Sequence, residues 1–199
     1  FYAAGDLKRA LRFVRENTDS AEDAYHGTAG ELVWGVVRAA AGESDAAIEA
    51  LEPAVSQLRC RDPQDLLPLA AALLSYAHGL SGNTARASVY QRLAPRFRNR
   101  PFWHAARVTE FFRILARQGR EKETAARALV QMAEEAEARG NVSFALGCYE
   151  AAASRGDLGA AAQLARLAPK ATGRWAETLA SYAKGMRGID PWRLLEAAE

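Results

Sequence analysis

Apolar positions along this chain recur at helical spacing almost from end to end. In 6–16 the residues Leu7, Ala10, Leu11 and Val14 fall on one face, and in 28–41 Leu32, Val33, Val36, Val37 and Ala40 do the same. Further helices are predicted over about 44–58, from Asp62-Pro63 or Asp65 to 81, over 84–97, 102–118, 121–139, 142–155, 157–168, 174–187 and 190–199. Pro68 must lie in or near a first turn, and Pro101 and Pro191 suit helix starts. The polar stretch 17–27 has no assigned state. No run alternates with period two, so no strand is expected.

A ten-residue phrase occurs twice. LLSYAHGLSG at 73–82 returns as LASYAKGMRG at 179–188, with six of ten positions identical. Gly5, Gly42, Gly82, Gly119, Gly156 and Gly188 are spaced by 37, 40, 37, 37 and 32 residues. A period of that size is the signature of stacked helix pairs. The expected fold is all-α: a right-handed α–α superhelix of about eleven helices, forming one helical-repeat domain over 1–199.

Gly42 suits a left-handed helix end, with Ser44 or Asp45 capping the helix that follows, and Asn83 caps 84–97. Tyr76 and Tyr182 stand six residues before their glycines, with Phe112 and Tyr149 seven before theirs. A large side chain there would wedge between the two helices of a pair. Ala77, Gly79, Ala183 and Gly185 would keep the adjoining surface small. Ala10, Ala47, Ala87 and Ala161 recur five residues after a glycine.

Alanine supplies 44 residues, 22% of the chain, which reinforces the helical reading. Net charge is +2, so no strongly charged partner is implied. Arg92, Arg96, Arg98 and Arg100 form one local basic cluster, read as a solvated helix end and loop rather than a phosphate site. Cys60 and Cys148 are 88 residues apart and carry no zinc or disulfide pattern. No apolar run reaches the ~18 residues of a membrane span, and a cytoplasmic location is expected. The chain begins at Phe1, already in repeat-like sequence, and ends at Glu199 inside a helical pattern. It reads as a fragment of a longer protein.

The large–small beat of these pairs resembles the tetratricopeptide family. The stretch AAAQLARLAPKATGRWAETLASYAKGMRGIDPWRLLEAAE at 160–199 is similar to the helical-repeat region of large LuxR-type, MalT-like transcriptional regulators. That resemblance implies a sensor and protein-interaction arm, with an ATPase portion and a helix-turn-helix outside this segment. The partner would be a protein or peptide, or a small effector, held in a concave groove. A free-standing adaptor that grips a peptide is the alternative.

Two groups are candidates for groove residues. Trp34 and Arg38 share a face, and Trp103, Arg107 and Glu110 share another. A Trp beside an Arg can stack on and hydrogen-bond a peptide. The alternative is a Trp packed between repeats with Arg laid along it. Trp175 and Trp192 fit repeat packing. His26, His78 and His104 are isolated, so no metal is expected, and no cofactor. Glu121, Glu123, Glu134, Glu135 and Glu137 lie in charged surfaces without an apolar pocket. Ser75 and Ser181 have no activating partner, and no phosphate-binding glycine loop is present. The chain is read as non-catalytic, without a DNA recognition helix.

Overall fold

The computed structural model describes residues 7–18, 28–93, 96–117 and 122–188. Gly5, the stretch 19–27 with His26, Gly119, Glu121 and the expected last helix over 190–199 with Trp192 lie outside the described residues. Every regular element among the described residues is helical: ten α-helices and one 3-10 turn. They fall into two compact units.

The first unit, Leu7–Gln118, holds α1 (Leu7–Thr18), α2 (Thr28–Ala40), α3 (Ser44–Cys60), α4 (Leu67–Leu80), α5 (Thr84–Leu93) and α6 (Trp103–Ala116). α4 is its hub. It packs on α3, α5 and α6 and touches α2. Its sequence, LPLAAALLSYAHGL, is apolar all round, as a helix surrounded by others must be. Ala70, Ala71, Ala72, Leu73, Leu74 and Ala77 are buried. Pro68 sits in the first turn, where its missing N–H costs nothing.

In the second unit, from Gly119 onward, the described helices are α7 (Lys122–Ala138), α8 (Val142–Ala153), α9 (Leu158–Leu167) and α10 (Arg174–Gly188), with the 3-10 turn Ala168–Lys170. Here α8 is central. It packs on α7 and α9 and meets α10. Leu146, Cys148 and Tyr149 fill its core with the small Ala145, Ala151, Ala152 and Ala153.

One corner recurs four times. At Gly42, Gly82, Gly140 and Gly156 the backbone turns left-handed, with φ of +77°, +78°, +74° and +94°. The next residue, Glu43, Asn83, Asn141 or Asp157, sends its N–H back five residues, to the carbonyl of Arg38, His78, Ala136 or Ala152. Each glycine N–H bonds three residues back. This is the Schellman arrangement, which satisfies the last carbonyls of a helix.

The residue after the glycine is also the N-cap of the next helix. Asn83 Oδ1 accepts from the Arg86 N–H at 3.1 Å, Asn141 Oδ1 from Phe144 at 3.3 Å and Asp157 Oδ1 from Ala160 at 2.8 Å. Its carbonyl then accepts from an alanine: Ala47, Ala87, Ala145 or Ala161, all buried. The five-residue interval between glycine and alanine follows from this geometry, and Gly140–Ala145 adds an unforeseen member.

Three expectations need correction. Neither Ser44 nor Asp45 is the cap of α3. Glu43 holds that position without a side-chain cap bond, because its carboxylate pairs with Arg38 instead. In α2, Val33 and Ala40 are exposed, while Leu32, Gly35, Val37 and Ala39 face inward. Gly35 sets that face, because Leu51 of α3 occupies the space a Cβ would need. Finally, the Tyr76 ring reaches beyond the expected pair: it lies 5.4 Å from that of Phe112 on α6, two helices on.

Candidate functional site

Trp34 is half-buried and packs against the core formed by Ala10 of α1 and Val37 of α2. The Arg38 guanidinium carbon sits 4.3 Å from the centroid of the Trp34 ring. The same guanidinium pairs with Glu43 at the corner after α2. The cation thus lies over an indole and bonds a carboxylate, while its buried Nε has no hydrogen-bond partner. The Trp34–Arg38 group therefore joins α1 to α2 and ties down a corner.

Trp103 opens α6, and Arg107 and Glu110 follow on the same helix, all three half-buried. Glu110 lies 3.8 Å from Arg113, one turn further on. α2 and α6 each contact α4, so the two candidate groups stand on different helices of the first unit. Trp175 is half-buried near the start of α10.

Three polar clusters escaped the sequence reading. The first clasps two loops together. Asp62 accepts from the N–H groups of Leu66 and Leu67 at 2.8 and 2.9 Å, capping the start of α4. Asp65, at φ +59°, accepts from the Asn99 N–H at 2.9 Å, and Arg98 reaches both Asp62 and Asp65. The Asn99 N–H, with Arg98 beside it, holds the Asp65 carboxyl below the usual carboxylate range, against its partial desolvation.

The second cluster surrounds His78 of α4. Its ring is buried and stacks on Tyr90 of α5 at 5.4 Å. Nε2 is 3.6 Å from Glu52 Oε1 of α3, but that oxygen is held by Arg86 of α5 at 2.6 Å. Desolvation pushes the imidazole below its ordinary pKa, and Arg86 adds to this while Glu52 opposes it.

In the third cluster Arg166 of α9 bonds Glu137 of α7 at 2.6 Å and also meets the hydroxyl of buried Tyr149 on α8. The Glu137 carboxyl is lowered chiefly by Arg166. Burial raises the Tyr149 phenol, and Glu137 and Glu134 reinforce it.

Two further nucleophiles are buried in the packing of the helices. Ser75 is buried, and its hydroxyl donates to the Ala87 carbonyl at 2.8 Å, linking α4 to α5. Cys148 is buried, and desolvation pushes its thiol up to about 12. Cys60 is exposed. Among the described residues no three of His, Cys, Asp or Glu converge as metal ligands, and no helix is long and apolar enough to cross a membrane.

The signals for the missed clusters were present but not specific. Asp62-Pro63 read as a helix start, yet its arginine lies 36 residues away. Only the packing of α3, α4 and α5 brings Glu52, His78 and Arg86 together. Comparison with known proteins finds no matching family, no matching curated protein and no matching solved structure.

Proposed function

We propose that this chain is a tetratricopeptide-like, right-handed α–α superhelix. We assign it the role of non-catalytic sensor and interaction arm in a multidomain transcriptional regulator of the LuxR, MalT-like type. The observation that carries this reading is the recurring corner at Gly42, Gly82, Gly140 and Gly156. Packing between alternate helices adds support, with α4 on both α2 and α6 and α8 on α10. Such a scaffold presents surface. An effector or partner that fits one curvature of the array better than another shifts the equilibrium between inactive and active states. The shift is bounded by its differential affinity for them.

The half-buried Trp103, Arg107 and Glu110 on α6 are the favoured groove contacts. Trp34 and Arg38 are the weaker pair, being engaged by α1 and Glu43.

The test is the full reading frame, followed by one titration. A Gly-x4-Gly-Lys-Ser/Thr motif upstream and a helix-turn-helix downstream support the regulator. A frame lacking both overturns it and leaves the peptide-binding adaptor. In the titration, the ATPase portion of that protein is added to 1–199 and to its Trp103→Ala variant. Binding that weakens in the variant, while helix content holds, supports the assigned groove. Equal binding by both removes Trp103 from the site.

A further inference from the structure

α5 packs chiefly through one face, and Arg86 also reaches Glu52 of α3. Ala87 is buried, Tyr90 stacks on His78, and Gln91 donates to the Arg113 carbonyl of α6 at 3.2 Å. The opposite face carries Val89 and Leu93, one helical turn apart and 41% and 53% exposed. Beyond α5 the chain passes Arg96, Arg98 and Arg100 and enters α6 at Phe102, 72% exposed.

Single exposed apolar side chains need no explanation, but the charge around these does. Residues 86–117 carry eight arginines against one acid, Glu110, a net of +7. Residues 28–85 carry three arginines against seven acids. Some of the eight are engaged: Arg86 by Glu52, Arg98 by Asp62 and Asp65, and Arg113 by Glu110. Arg92, Arg96 and Arg100 are exposed, and among the described residues no hydrogen bond or ion pair engages them. An unneutralised basic segment that directly follows an apolar ridge in the chain is complementary to a partner that is both acidic and apolar.

We infer that Val89, Leu93 and Phe102, with Arg92, Arg96 and Arg100, form a docking surface for an acidic amphipathic helix of a partner protein. The ridge at i and i+4 accepts the apolar stripe of such a helix. The guanidinium forks take its flanking carboxylates. A nucleic acid would satisfy the arginines but leave Val89 and Leu93 in water, so the apolar ridge favours the peptide. The surface does not depend on the regulator reading or on the Trp–Arg groups.

The test uses the whole chain and a labelled peptide of about four helical turns, with Leu on one stripe and Glu flanking it. A second peptide has the same composition with its leucines scattered. Single-stranded and duplex DNA complete the set. The patterned peptide should bind, and more weakly as salt rises. Arg92→Glu with Arg96→Glu should weaken it about tenfold or more, as should Leu93→Asn alone. Arg174→Glu on α10 should leave it unchanged. All these positions are exposed, so far-UV circular dichroism should match the parent. Failure of the patterned peptide to bind overturns the proposal. So does equal binding of the scattered peptide, tighter binding of either DNA, or indifference to both α5 variants.

Discussion

Gly35→Ala is the sharpest perturbation of the first unit. A Cβ added at Gly35 would stand 2.4 Å from Leu51 Cγ and 2.5 Å from Cδ2. Carbon atoms rest at about 3.5–4.0 Å, so Leu51 must retreat by roughly 1 Å. It has little room to do so, being fully buried, and the closest atom is its branch point rather than a free end. Overpacking of this kind costs about 1–3 kcal/mol. The better helix propensity of alanine returns up to about 1 kcal/mol. The net expectation is a loss of about 1–2 kcal/mol.

Gly147→Ala in α8 is the matched control. Nothing lies within 4 Å of its added Cβ, so only the propensity gain remains. The same chemical change should therefore shift stability in opposite directions at the two sites. The measurement is urea unfolding followed by far-UV circular dichroism, with midpoints compared at unchanged slope. Leu51→Ala provides a second arm. It should cost about 2–5 kcal/mol alone, but Gly35→Ala added to it should cost little more. Equal effects at Gly35 and Gly147, or strict additivity with Leu51→Ala, would refute the close approach of α2 and α3.

Other outcomes follow from single groups. Gly140→Ala meets no atom within 4 Å, yet its φ of +74° should cost about 1–2 kcal/mol. Gly140→Asn should cost less in the same unfolding assay, since asparagine tolerates that region. Buried His78 faces Glu52, Arg86 and Tyr90, and its native pKa lies below the ordinary 6.5. The unfolded chain thus binds the proton more readily. The contribution of the neutral ring is complete above about pH 6.5 and is lost as pH falls toward the native value. His78→Leu should flatten that part of the stability-against-pH curve. A thiol reagent should label Cys60 in the native protein and leave Cys148 untouched until urea exposes it. Simultaneous labelling would contradict the packing of α8.

The helices were legible because two signals coincided: apolar stripes at helical spacing and, at four junctions, a glycine where the stripe stops. Asn83 could be read as a cap because a short polar side chain after a glycine has few other uses. Ser44 misled for the same reason, since it is the short polar residue at that junction. The corner, however, places the cap one residue earlier, on Glu43. The burial of α2 was misread because Val33 is apolar and Gly35 is nothing at all. Yet the missing side chain admits Leu51 and so turns that face inward. The clasp of Asp62, Asp65 and Arg98 was invisible, because its partners lie 33 and 36 residues apart and only tertiary packing joins them.

The corners alone cannot set the alternation of helices. Gly140 and Gly156 bound α8 with the same hydrogen bonds at both ends, so the corner does not mark which junction lies inside a pair. Within each unit, side chains also reach two helices along. Between odd-numbered helices these are ion pairs: Glu52–Arg86 from α3 to α5 and Glu137–Arg166 from α7 to α9. Between α4 and α6 it is the contact of Tyr76 with Phe112. Solvent-facing ion pairs contribute about 0–1 kcal/mol and are screened by salt. An aromatic pair adds about 0.5–1.5 kcal/mol beyond its buried area. Within the first unit the contact of α4 with α6 is therefore the stiffer one and that of α3 with α5 the weaker. Parting α3 from α5 therefore costs the first unit less than parting α4 from α6. α5 is also the helix that carries unengaged Arg92 and the exposed ridge.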